Sequence, residues 1–115
     1  MSTKKKFLCV HRSAPSTGPR KPPSAEEMQA AMARWQAWKA QFDAELFDMG
    51  AKLAPGGAVF RDGRVTDGPF VEGKEVLGGY MILETTSLER AVEIVRAMPM
   101  QVEGAAIEIR EIAAF

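Results

Sequence analysis

Thiol, metal and membrane chemistry find little material in this chain. Cys9 is the only cysteine among 115 residues, and one cysteine cannot close an internal disulfide. Histidine is equally scarce, with His11 alone, so no Cys/His cluster offers the spacing of a metal site. No metal and no cofactor is expected. Long apolar runs are also missing, because charges interrupt every stretch well short of the ~20 residues that a bilayer span requires. The basic start MSTKKK is followed by only a few apolar residues before His11 and Arg12, against roughly 7–15 in a secretory signal. The expectation is a cytoplasmic protein with no membrane partner. Net charge is +0, so the chain as a whole has no pull on a polyanion and nucleic acid is not an expected partner. The one asymmetry is residues 1–21, which hold Lys4, Lys5, Lys6, Arg12, Arg20 and Lys21 and no acid. Lysines beside an edge strand that resists aggregation account for that run without a polyanion.

What is present suits one soluble domain spanning residues 1–115. Apolar residues make up 46% and charged residues 26%, the balance of an ordinary globular core with a solvated surface. Residues 5–11, KKFLCVH, read as a first strand with at least one buried face. Residues 13–23 hold four of the seven prolines and read as a mobile loop, since proline lacks an amide donor. Ser24 followed by Glu27 forms a capping box that starts a helix. Met28, Met32, Trp35, Trp38, Phe42, Leu46 and Met49 then recur at helical steps, which predicts one long amphipathic helix ending at Gly50. Such an aromatic stripe is a core face in the first instance and not a ligand box.

Beyond it, residues 51–53 read as a short strand, and Asp62-Gly63 between AVF and RVT is a two-residue hairpin signal. The glycines and proline of DGPFVEGKE predict an irregular stretch. Residues 80–86 read as a central strand with Met81 and Leu83 on one face and Tyr80, Ile82 and Glu84 on the other. Ser87 caps a second helix in which Leu88, Ala91, Val92, Val95 and Met98 share a face, and Pro99 stops it. AIEIREI is a half-buried last strand. Two helices on one face of a mostly antiparallel sheet give an α+β, ferredoxin-like split-βαβ sandwich. The uncovered sheet face predicts a homodimer with a dimeric α+β barrel at its centre.

The run VTDGPFVEGKEVLGGY resembles the signature of the YCII-related family, in its DGPF branch. Asp67, Gly68, Pro69, Phe70, Glu72, Lys74, Glu75, Gly78, Gly79 and Tyr80 carry the match, and SAEEMQAAMARWQAW and SLERAVEIVRAMP are similar to that family's two helices. The sequence departs from the pattern at the longer basic loop 13–23 and at His11, where Phe or Tyr is common. The resemblance implies a ferredoxin-like dimer with a cleft and a largely unassigned role. Some relatives look like enzymes using a His/Asp pair on ring-type substrates, and the DGPF branch has links to sigma-factor-associated regulation.

Several residues are candidates for chemistry. Asp67 can accept a proton if partly desolvated, or can lock its loop through an Asx turn. His11 is the side chain whose ordinary range lies nearest neutral pH, although a lone histidine is more often structural. Glu72 and Lys74 can hold an anionic or carbonyl group, or can be a solvated ion pair. Arg12 follows the strand end as an anion-binding candidate, and Tyr80 follows the Gly78-Gly79 pair, which reads as a bulge or close backbone approach. Three functions compete. They are binding of a small anionic or aromatic molecule near the DGPF loop, acid–base catalysis of isomerase or lyase type by Asp67 with His11, and a regulatory accessory role.

Overall fold

A computed structural model describes residues 3–13, 22–54, 56–68, 76–99 and 104–114 of the chain. Strand β1, Lys5–Ser13, buries Phe7 and Cys9 on one side and leaves Leu8 and Val10 half-buried on the other. Ser24 accepts a hydrogen bond from the Glu27 amide at 3.1 Å and starts helix α1, Ala25–Phe42. Strand β2 follows at Leu46–Lys52, the hairpin strands β3 at Gly57–Arg61 and β4 at Arg64–Gly68, and β5 at Val76–Thr85. Ser87 accepts from the Arg90 amide at 3.1 Å and caps helix α2, Leu88–Arg96. Strand β6, Ala106–Glu111, turns Ile107 and Ile109 towards the core.

The main sheet runs β2-β5-β1-β6 with every neighbour antiparallel, while β3 and β4 form a separate two-stranded sheet. With that hairpin set aside, the order is strand, helix, strand, strand, helix, strand, and the first strand is central, paired on both sides, and not the edge strand expected beside its lysines. This is the expected α+β, ferredoxin-like arrangement. The core packs Phe7, Cys9, Met81 and Leu83 of the two central strands against Trp38 and Phe42 of α1 and Ala91 and Ile94 of α2. The indole Nε1 of Trp38 donates to the Ile94 carbonyl at 3.0 Å, which ties the helices together inside the core. Among the described residues no helix is long and apolar enough to cross a membrane.

The first helix is shorter than its periodicity predicts. It stops at Phe42, a 3-10 turn covers Asp43–Glu45, and the residues up to Gly50 and beyond become β2. Leu46 and Met49 fit a helical stripe, but Leu46 pairs with Leu83 and Asp48 with Ile82, and the ladder to β5 outweighs local spacing. Gly50 does take a left-handed conformation, φ 64°, yet inside a bulged strand and not at a helix end. Met28 and Met32 are exposed, because only the later turns of α1 meet the sheet. On α2 the buried face centres on Ala91 and Ile94, and Leu88, expected inside, is exposed. Asp62 and Gly63 both have positive φ, 51° and 75°, as the hairpin signal requires. Strand β4 runs on to Gly68, so Asp67 lies in a ladder opposite Ala58, where an irregular stretch was expected. Residues 14–21 of the proline-rich loop lie outside the described residues, and Ser13 belongs to β1.

Candidate functional site

The helix-facing phase of β1 continues from Phe7 and Cys9 to His11 and Ser13, beyond the point where the helices fill the core. A cavity of about 430 Å³ opens there. Its apolar wall comes from Trp35 of α1, Met49 of β2, Met81 of β5, Met98 after α2 and Ile107 of β6. Its polar groups are His11, Ser13 and Lys52. A few polar groups in a mostly apolar concavity is the composition of a small-molecule site.

Glycine makes room for this arrangement. His11 pairs with Gly79 and Arg12 with Leu77, so Gly78 is the extra residue of a bulge, as its sequence suggested. A Cβ at Gly78 would stand 3.6 Å from His11 Nδ1, and one at Gly79 would stand 3.1 Å from the Ala51 carbonyl oxygen. The first is an ordinary contact, whereas the second is tight against backbone, so it is the missing side chain of Gly79 that lets β2 close on β5.

Among the described residues His11 Nε2 is the one buried side-chain nitrogen or oxygen with no hydrogen-bond partner. Leaving such a group unmatched costs about 1–3 kcal/mol. Cys9 stands two residues earlier on the same phase. Burial pushes its thiol up to about 11, so it is a poor nucleophile and serves as a small apolar wall. No group of three or more His, Cys, Asp or Glu side chains among the described residues could hold a metal ion.

The candidates separate in space. His11 and Tyr80 border the cavity. Arg12 does not; it pairs with Glu108 at 3.4 Å across β1 and β6. Asp67 is exposed on the separate hairpin and is not part of the cavity wall. Glu72 and Lys74 lie outside the described residues. Sequence reasoning missed Lys52, Ser13, Met49, Met98 and Trp35 as site residues. Ser13 had a usable signal, since it repeats the two-residue step of Cys9 and His11. Met49 and Met98 had none, because apolar spacing cannot tell a cavity wall from a filled core.

No curated protein matches the chain. The family model of the YCII-related domain matches residues 6–115, which takes in the Gly78 bulge, every residue of the cavity and every described strand and helix apart from the first residue of β1. The chain belongs to the YCII-related domain family.

Proposed function

We propose that this YCII-related domain binds a small organic molecule in the cavity beside His11. The observation that supports it most is His11, which lines a largely apolar cavity and whose buried Nε2 has no hydrogen-bond partner. A ligand with an apolar or aromatic body and one hydrogen-bonding group matches both features, and Lys52 suits an anionic substituent. Binding of this kind needs nothing from Asp67, whose place on the hairpin gives an acid–base partnership with His11 no support. The Asp67-Gly68-Pro69-Phe70 run supports the DGPF branch of the family, and the lone, un-ionised Cys9 suits a reducing, cytoplasmic setting. The test is a thermal-shift screen with small aromatic and keto acids, since a ligand that binds only the folded state raises its melting temperature by mass action. Hits should stabilise the wild type and Asp67→Asn alike, fail on His11→Phe, and weaken on Lys52→Met. Hits that stabilise His11→Phe as strongly as wild type would remove the cavity from the proposal.

The chain further reads as a two-fold homodimer paired through the sheet face opposite the helices. That face carries Leu8, Val10 and Ile82, with Phe47 under the ammonium of Lys6 at 4.0 Å. Its charges alternate in sign, Lys6 opposite Glu84 and both Arg12 and Arg110 against Glu108, so apposing two copies sets no row of one sign against itself. Light scattering at micromolar concentration should give twice the chain mass; a monomer would end this part of the proposal.

A further inference from the structure

Gly78 and Gly79 stand side by side on β5, and the fold needs only the second of them to be glycine. A Cβ at Gly79 would press on the Ala51 carbonyl oxygen at 3.1 Å, whereas one at Gly78 would meet nothing nearer than 3.6 Å. Unlike Gly50, Gly78 also has no positive φ. Neither crowding nor a left-handed backbone therefore asks for glycine at this position. The space that an alanine methyl would take there belongs to the cavity, whose wall includes Gly78, His11, Ser13 and Lys52. The three heavy atoms nearest to that point are His11 Nδ1 at 3.6 Å, the His11 carbonyl oxygen at 3.8 Å and Ser13 Oγ at 3.9 Å.

Those neighbours set the chemistry of the space. An imidazole nitrogen and a hydroxyl can each donate one hydrogen bond, and Lys52 adds a positive charge to the same wall. Among the described residues no hydrogen bond engages the His11 ring or the Ser13 hydroxyl. The remaining near atom is main chain of β1, a strand paired on both sides. Two unspent donors near one open point, with a cation on the same cavity, match a carboxylate, whose two oxygens accept and whose charge strengthens each bond. We propose that Gly78 is a specificity-determining residue, whose missing side chain leaves room for the carboxylate of an organic acid within reach of His11 Nδ1 and Ser13 Oγ. The apolar remainder of the acid lies on the wall formed by Trp35, Met49, Met81 and Met98. An alanine methyl at 78 takes that room and sets an apolar group beside both donors. The inference rests on the cavity as a ligand site and narrows its ligand to a carboxylic acid held at the Gly78 bulge.

Matched acids and amides test this by thermal shift and calorimetry, with benzoate set against benzamide and phenylacetate against phenylacetamide. On the wild type each acid should bind about tenfold more tightly than its amide, which lacks the charge. Gly78→Ala should weaken each acid by about tenfold or more. Its melting temperature without ligand should equal or exceed that of the wild type, as alanine gives where its backbone fits. Acids that bind Gly78→Ala as tightly as wild type, yet fail on His11→Phe, would overturn the role of Gly78 and leave the cavity site standing. Amides that bind as tightly as their acids would overturn the carboxylate. A melting temperature several degrees lower in unliganded Gly78→Ala would overturn the inference by showing that the fold itself needs the glycine. If neither acid stabilises the wild type, the inference falls; if the wider set of aromatic and keto acids fails as well, the cavity site falls with it.

Discussion

Glu45 and Arg90, one in the turn after α1 and the other in the first turn of α2, meet as a two-pronged ion pair. Arg90 Nη2 donates to Glu45 Oε1 at 2.7 Å and Nε donates to Oε2 at 3.0 Å. The buried hydroxyl of Thr85 donates to the same Oε2 at 2.5 Å, and the guanidinium lies 5.4 Å from the centre of the Phe42 ring. This cluster fixes where the chain leaves α1 and enters β2, and with it the position of Met49 on the cavity wall.

Replacing Glu45 by Gln should cost about 1–2 kcal/mol in urea unfolding, because the charge-assisted fork is lost and Thr85 keeps a weaker acceptor. The Arg90 hydrogen bond holds the Glu45 carboxyl below its ordinary value of 4.5, with Thr85 adding to the effect against the opposing influence of burial. A lowered value means stability that is present above the ordinary value and lost as pH falls through the folded one. The difference between wild type and Glu45→Gln should therefore be full at neutral pH and shrink below about pH 4.5. A difference that does not change with pH would show that the charge contributes nothing.

Cys9 should resist thiol reagents in the native protein. Its folded value of about 11 lies above the ordinary 9.0, so the thiolate fraction near neutrality falls by about 100-fold relative to the unfolded chain. Reaction with a disulfide reagent should be slower by at least that factor without urea than with it. The same shift makes the domain lose stability as pH rises from 9.0 towards about 11, because only the unfolded thiol ionises there.

Gly50→Ala should destabilise by more than about 2 kcal/mol, since φ is 64° and an added Cβ would run into the Tyr80 carbonyl. Gly56→Ala supplies the control. Its φ of 89° is strained for alanine, but an added Cβ meets nothing within 4 Å, so the cost should be the backbone share alone. Equal losses in the two variants would mean that β2 is not held closely against β5.

His11→Phe separates stability from binding. It removes the unmatched buried nitrogen, so the unliganded domain should gain about 1 kcal/mol, or roughly 3–5 °C in melting temperature. Ligand-induced stabilisation should vanish in the same variant. A loss of several degrees would show instead that the imidazole is satisfied in solution and supports the fold.

The sequence alone determined whatever depends on neighbours along the chain. Ser24 and Ser87 announce their helices because a cap is a contact across three residues. Asp62-Gly63 announces its hairpin because the turn is set by two backbone angles, and the alternation of Phe7, Cys9, Met81 and Leu83 shows which faces are buried. The Gly78 bulge was legible for the same reason, and His11 and Tyr80, singled out from the sequence, border the cavity. Only the tertiary structure decided where α1 ends, because the periodicity of Leu46 and Met49 satisfies helix and strand alike until β5 supplies partners. It also decided that Lys52, Met49, Met98 and Trp35 stand around His11 while Asp67 stands apart, since their meeting depends on strand order and not on spacing. Contacts between residues far apart in the chain are chosen by the packing that survives the entropy of closing long loops, and no local pattern carries that choice.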